Sequence, residues 1–220
     1  MTPENARYAI LDAALRDAVF EGWTDTMLGK AAEAAGMSAG AAPLYFPGGV
    51  VEVIEYWSSK MDAAAREEIE ALDLETMRVR DRVTQAVIIR LSQIGQHEEA
   101  ARRAQARLSL PDGLSTGAKL TWNAADMIWR AIGDTSTDAN FYSKRGVLSA
   151  VLASTGPVWL SDSLPDKPEA KRFLDRRIDN VMQFEKLKAR VRKARAASPN
   201  PAELLGRLRY GVGQGGLPTR

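Results

Sequence analysis

Few side chains in this sequence are of the types that perform enzymatic chemistry. Its 220 residues include no cysteine and a single histidine, His97, which excludes disulfides, thiolate nucleophiles and cysteine-based metal centres. Gly211, Gly213 and Gly216 have the spacing of a dinucleotide fingerprint, but no strand pattern precedes them and Pro218 prevents a useful helix after them. No nucleophile–base pair can be assigned. We therefore expect a protein that is not an enzyme and holds neither a metal nor a cofactor.

Polar and aromatic residues are concentrated between positions 125 and 145. A loop of Asp and Thr/Ser residues (134–138) precedes Asn140, which could cap the following helix, and Phe141, Tyr142 and Arg145 come directly after it. Exposed aromatic side chains beside Arg and Asp are typical of protein-interface hot spots. The alternative, a capped loop over a buried aromatic side chain, remains open.

The sixteen residues 146–161 carry no charge and are apolar or small on every side of a helix. This pattern predicts a helix that is buried on all faces. Pro157 should kink it, and the small residues would leave space beside it. Close packing against another helix, an interface between subunits and the wall of a ligand cavity all remain possible interpretations.

The elements that must position these residues are helices, because apolar residues recur throughout at spacings of three and four and strand alternation is nearly absent. The fold class predicted is all-α. Gly22 should end the first helix, Thr24 or Asp25 should cap the second and Gly36 should end it, and Ser38 should open a short third segment. Later helices are predicted over residues 50–72, 79–94, 98–108, 115–132, 140–164 and from 168 to about 195.

The first elements, with ILDAAL, TDTMLGKAAEAAGMS and LYFPGG in that order, resemble the N-terminal helix-turn-helix module of tetracycline-repressor-like regulators. In such modules the third element enters the DNA major groove. Residues 31–59 contain no Lys or Arg and have a charge of −3, so they lack the cations that neutralise phosphates. Pro43 should also break a recognition helix. We expect a structural module and no nucleic-acid partner; a ligand-responsive transcription regulator is the alternative.

A second motif, W-x(3)-G-D-x-S-T-D-x-N-x-Y-x-x-R over residues 129–145, occurs together with FLDRRIDNVMQ over residues 173–183. Both resemble the accessory proteins of ubiquinone (coenzyme Q) biosynthesis known as the ninth Coq protein. The resemblance extends over residues 8–186. It implies a dimer with a tetracycline-repressor-like fold that binds isoprenoid or phospholipid-type lipid, without catalysis. It also implies that the lipid is presented to a di-iron quinone hydroxylase.

The resemblance places a partner-binding patch on seven residues: Asp126, Trp129, Asp138, Asn140, Phe141, Tyr142 and Arg145. Helix faces add a predicted lipid pocket lined by Trp122, Leu148, Val151, Leu152, Thr155, Trp159, Val181 and Met182. Three regions are expected: a degenerate helix-turn-helix module (1–60), a ligand-binding and dimerisation domain (61–197) and a flexible tail (198–220).

The tail is a candidate membrane contact. A run of cations over residues 186–195 precedes a short amphipathic segment, and the predicted membrane-binding residues are Lys188, Arg192, Leu204, Leu205, Leu208 and Arg209. A solvated helix end is the alternative. The chain begins in an amphipathic pattern without a signal peptide or transit peptide. We therefore expect a cytoplasmic protein, with peripheral contact to the inner face of the cytoplasmic membrane as the further option.

Overall fold

The computed structural model describes residues 2–38, 40–137 and 139–181, and within these ranges every regular element is helical. The all-α prediction is confirmed. The elements, in chain order, are α1 (Pro3–Glu21), α2 (Asp25–Ala34), α3 (Ala42–Tyr45), α4 (Gly49–Glu70), a short 3-10 turn (Leu74–Thr76), α5 (Val79–Ser92), α6 (Glu98–Leu108), α7 (Leu114–Ala131) and α8 (Ala139–Ser161). Residues 168–181 are also helical.

The chain divides after Ile178 into two compact units, and of the second only residues 179–181 are described. In the first unit α4 packs against α5 and α7, and α7 packs against α8. The boundary expected at residue 60 falls inside α4. The three-region division remains a prediction.

Local signals placed the ends of α2 correctly. Thr24 accepts a hydrogen bond from the Met27 backbone N–H through its hydroxyl oxygen at 3.1 Å, as an N-cap should. At the other end Gly36 has φ +80°, and the Met37 N–H donates to the Ala32 carbonyl at 3.0 Å. This is the Schellman arrangement, in which a left-handed glycine satisfies the last carbonyls of a helix.

The third element differs from the prediction that Ser38 opens it. Helix α3 begins at Ala42 and comprises a single turn, with Pro43 in its first turn. A proline is tolerated there because its missing N–H would have had no intrahelical acceptor. The segment that would be a recognition helix in a DNA-binding module is therefore four residues long.

Cations near this module form ion pairs and cation–π contacts with residues of the same chain. The Arg7 guanidinium lies 4.5 Å from the Phe46 ring centre and 4.8 Å from that of Tyr56, and it pairs with Glu52 at 3.0 Å. Lys60 binds Glu4 on α1. These contacts fix α1 and α4 around α3.

Two tryptophans connect the N-terminal helices to the rest of the first unit. Trp23, between α1 and α2, is buried and donates its indole N–H to the Ala100 carbonyl of α6 at 2.9 Å. Its ring stacks on Trp57 of α4 with centres 6.0 Å apart. The helix-turn-helix-like region and the later helices therefore share one core.

Within the single chain, α8 is not buried on all faces, which leaves an interface between subunits as the interpretation that would still bury it fully. Its large apolar residues point inward, but Gly146, Ala150, Ala153, Pro157 and Ser161 form an exposed face along the whole helix. Because this segment carries no charge on any side, the sequence did not indicate which face of the helix is exposed. The predicted cap is wrong, because α8 begins at Ala139 and Asn140 lies in its first turn. Among the described residues, no helix combines the length and apolarity needed to cross a bilayer.

Candidate functional site

An apolar cavity of about 500 Å³ lies among α4, α5, α6, α7 and α8. This volume is within the range of small-molecule sites. The larger side chains on its walls are mostly aliphatic or aromatic: Ile54, Trp57, Leu91, Ile94, Leu120 and Leu152. Its walls can therefore accept an apolar ligand mainly by burying hydrocarbon surface.

Small residues create this space where helices α6, α7 and α8 approach one another. Ala101, Ala104 and Gly117 line the cavity from α6 and α7, and Gly156 lines it from α8. A methyl group added at Gly156 would lie 3.0 Å from the Gln105 side-chain nitrogen. The helices approach closely here because Gly156 has no side chain.

The α6–α7 turn borders the cavity. Leu114, the first residue of α7, lines the cavity and is nevertheless 58% exposed, and Leu110 on the same turn is also exposed. A residue that contacts both the interior and solvent marks an opening. We identify this turn as one opening of the cavity; Ala153 and Pro157 of α8, which also line it and are exposed, mark another.

The predicted lipid-binding residues only partly coincide with this cavity. Leu152 lines it. Four others, Leu148, Val151, Thr155 and Trp159, are buried on α8 but do not line it, and Trp122 is half-buried with its ring 6.4 Å from that of Tyr142. Val181 belongs to the second unit. Lipid contact by these residues remains a prediction.

Sequence reasoning missed the walls that α5, α6 and the start of α7 contribute. The available signal was a set of small residues, at 101 and 104 in α6 and at 117 and 118 in α7. Small residues of this kind occur both in close helix packing and beside cavities. Only the arrangement of five helices distinguishes these two outcomes.

The predicted partner-binding patch is organised around an arginine that is not on the surface. Arg145 is 1% exposed and donates from Nε to Asp126 at 2.5 Å and from Nη1 to Asp134 at 3.2 Å. Its guanidinium also lies 3.5 Å from the Phe141 ring centre. Arg145 therefore lies in the second turn of α8 beneath the patch, where it ties α7, the following loop and α8 together.

Lys144 completes the arrangement. Its ammonium donates to Asp134 at 2.6 Å and to the Ser136 hydroxyl at 2.7 Å, while its carbonyl accepts the Trp129 indole N–H at 3.1 Å. Burial raises the pKa of Asp134, but the hydrogen bonds from Lys144, Ser136 and Arg145 outweigh burial and lower it below its usual value. The loop carboxylate is thus held ionised.

Asp126 behaves in the same way. Burial raises its pKa, but hydrogen bonds from Arg145 and Arg130 bring it below the ordinary value. Asp126 also lines a charged groove of about 660 Å³ between α4 and α7, with Arg66 and Arg130 on its walls. This groove continues the patch onto a second helix pair.

The patch exposes aromatic surface above the buried ions. Tyr142 is 67% exposed, Asn140 is exposed, and Phe141 and Trp129 are half-buried. Phe141 and Tyr142 pack edge to face with centres 5.1 Å apart. An aromatic surface fixed by a rigid ionic base can contact a partner without first being ordered.

Eight of the predicted site residues lie outside the described residues. They are Asp138 of the patch, Met182 of the pocket, and the membrane set Lys188, Arg192, Leu204, Leu205, Leu208 and Arg209. Their roles remain predictions.

Comparison with known proteins confirms the resemblance that the motif indicates. Residues 114–185 match the COQ9 family model. The chain is 31% identical over 185 residues to the ubiquinone biosynthesis protein COQ9 of Xenopus tropicalis, 29% over 187 residues to that of Rattus norvegicus and 28% over 187 residues to that of Homo sapiens. These alignments cover 81–82% of this chain but 58–60% of each relative, so the chain spans about six tenths of their length.

A crystal structure of a TetR transcriptional regulator from Nitrosomonas europaea superposes with a TM-score of 0.62 at 17% identity, covering 79% of this chain and 95% of that one. The tetracycline-repressor-like fold is therefore confirmed. At this identity the likeness concerns architecture alone.

Proposed function

We propose that this protein is a non-catalytic accessory protein of ubiquinone biosynthesis that binds an isoprenoid-type lipid and presents it to a di-iron quinone hydroxylase. The observation that carries the proposal is the position of the COQ9 match, residues 114–185. This range contains α7, the Asp134 loop and α8. These elements supply part of the cavity wall and also carry the aromatic patch. Lipid holding and partner docking would thus share the same helix pair.

The cavity supports the lipid part of the proposal because its walls are largely apolar and it opens at Leu114. The test is to purify the protein from its host, extract bound lipid and identify it by mass spectrometry. Quinone, isoprenoid or phospholipid at a stoichiometric ratio is expected. Leu114→Ser should reduce uptake from vesicles, whereas Val79→Ser, at an exposed site outside the cavity, should not. Lipid-free protein that takes up none of these classes would contradict the proposal.

The aromatic patch supports the partner part. Tyr142 is exposed, so Tyr142→Ala should abolish hydroxylase binding in a pulldown without unfolding the chain. Phe20→Ala is the matched control, because Phe20 is an exposed aromatic residue on α1, outside the patch. Trp129→Ala is less suitable as a test, because the Trp129 indole N–H also donates a hydrogen bond to the Lys144 carbonyl and its loss could disturb the local structure. Undiminished binding of Tyr142→Ala would refute this surface.

We further propose a homodimer, supported by the uncharged small-residue face of α8. Membrane contact by the basic and amphipathic tail remains part of the proposal and concerns residues outside those described.

The short α3 and the absence of Lys and Arg over residues 31–59 disfavour duplex recognition. Salt-sensitive, sequence-specific binding to duplex DNA would instead favour the regulator function.

A further inference from the structure

Arg90 of α5 is a buried cation in the wall of the apolar cavity. It is 7% exposed, and among the described residues that line the cavity it is the only charged one. A buried charge is unfavourable unless hydrogen bonds and a counter-ion compensate for it. The partners of Arg90 therefore indicate which of its donors remain for a ligand.

Those partners all lie on one turn of α4. The Nε of Arg90 donates to Asp62 Oδ1 at 2.5 Å, and its Nη2 donates to the Ser58 hydroxyl at 3.0 Å. Among the described residues, its Nη1 has only the Met61 sulfur, at 3.6 Å. A thioether is a weak acceptor, so the two Nη1 hydrogens are poorly satisfied compared with those of Nε and Nη2.

The weakly satisfied Nη1 contacts a residue, Met61, that itself lines the cavity. Arg90, Ser58 and Met61 all line it, whereas Asp62 does not line it and instead contributes to the charged groove between α4 and α7. The ion pair thus spans the wall, with its carboxylate on the groove side. An oxygen of a bound ligand could replace the Met61 sulfur as the acceptor for Nη1.

Charge balance determines which oxygen is favoured. Asp62 already neutralises Arg90, so an uncharged acceptor leaves the buried group neutral, while a phosphate would place an excess negative charge beside apolar walls. We propose that Arg90 is a specificity-determining residue that recognises an uncharged carbonyl or hydroxyl oxygen on the head of an otherwise apolar ligand. This inference rests on the proposed lipid-binding function and specifies its ligand class: an uncharged oxygenated head in preference to an anionic phospholipid head.

Three probes of similar chain length separate the possibilities: a decyl-substituted benzoquinone, decylbenzene, and a phosphatidylglycerol with two ten-carbon chains. Binding to the full chain is measured by isothermal titration calorimetry. The wild-type protein should bind the quinone about tenfold more tightly than the hydrocarbon, as expected for a hydrogen bond from a charged donor. The phospholipid should bind more weakly than the quinone.

The double variant Arg90→Met/Asp62→Asn removes the pair without leaving an unpaired buried charge. It should lose the preference for quinone over decylbenzene while keeping its affinity for decylbenzene within about twofold. Arg78→Met removes an exposed cation just before α5 and should change neither affinity. Circular dichroism melting confirms that each variant is folded.

Asp62→Asn alone provides a second test that retains Arg90. The uncompensated guanidinium should then bind phosphatidylglycerol about tenfold more tightly than the wild type does. Phosphatidylglycerol should therefore bind to this variant more tightly than the quinone does. Equal quinone preference in the wild type and the double variant would overturn the role of Arg90 while leaving lipid binding intact. Wild-type protein that prefers phosphatidylglycerol would overturn the neutral-head assignment. If the wild type binds none of the probes, the lipid-binding function fails as well.

Discussion

Arg145 shows how one side chain can be essential to a surface without being on it. Its guanidinium is enclosed by Asp126, Asp134 and the Phe141 ring, and those three contacts come from α7, a loop and α8. Because the Arg145 and Asp134 side chains are buried together and Asp126 is half-buried beside them, each compensates for the desolvation of the others. These buried ionic contacts fix the positions of the aromatic side chains that lie above them.

Replacing Arg145 with Met should destabilise the protein by about 3–5 kcal/mol, because the buried Asp134 carboxylate would lose a compensating charge. Urea unfolding followed by circular dichroism measures this change. Arg130→Met is the control: Arg130 pairs with the same Asp126, but its side chain is 62% exposed. We expect the control to lose less than about 1 kcal/mol. Equal losses of stability in the two variants would show that burial does not determine how much each arginine contributes to stability.

At the scale of elements, the glycine inside α2 and the glycine just after its C-terminal end have opposite requirements. Gly29 lies inside the helix with open space where a methyl group would point, while Gly36 ends the helix with φ +80°. A glycine inside a helix has excess freedom in the unfolded chain. A left-handed glycine has a conformation that L side chains rarely adopt.

Gly29→Ala should therefore stabilise the protein by about 0.5–1 kcal/mol, and Gly36→Ala should destabilise it by about 1–2 kcal/mol. Both are measured by thermal and urea unfolding of the same preparation. The two substitutions add the same methyl group, so composition cannot explain a difference in sign. Two changes of the same sign would contradict the assigned geometry.

At the scale of the whole molecule, three carboxylates with lowered pKa values secure connections between helices. Asp126 and Asp134 hold the α7–α8 junction, and Asp162 accepts from the Glu169 N–H at 2.8 Å and the Ala170 N–H at 3.1 Å at the start of the last described helical segment. Burial raises the pKa of Asp162, but these backbone hydrogen bonds lower it below its usual value. All three groups favour the ionised, folded state.

The unfolded state therefore binds more protons than the folded state in mildly acidic solution. The stabilisation from these groups is complete above the ordinary Asp pKa of about 3.8 and is lost as the pH falls through their lower folded values. Urea unfolding between pH 7 and pH 2 should show stability decreasing as the pH falls below about 4. Asp134→Asn should reduce the slope of this decrease; an unchanged slope would exclude Asp134 as a contributor.

The exposed face of α8 bears on the assembly of the molecule. Ala150→Glu would place a charge in the middle of that uncharged face and should convert the proposed homodimer to a monomer. Analytical ultracentrifugation measures the change in mass. Ala64→Glu, at an exposed alanine of α4, should leave the mass unaltered. A monomeric wild type, or a dimer that survives Ala150→Glu, would contradict this interface.

Periodicity and local chemistry were enough to predict the helices and most of their ends. The stop at Gly36, the cap at Thr24 and the span of α6 depend on residues close in the sequence, and the structure agrees with each of them. The family motif was also readable, because its residues lie within one α7–loop–α8 segment. Charge distribution along the chain likewise separated the acidic helix-turn-helix region from the basic tail.

Only the tertiary structure decided which side of each helix is buried and where space remains. Arg145 has the sequence pattern of an interface residue but is buried, and α8 has the pattern of a fully buried helix but exposes its small-residue face. The cavity joins residues up to about a hundred positions apart, from Ile54 on α4 to Pro157 on α8. Burial and empty volume depend on how several helices pack together, and sequence periodicity describes only one helix at a time.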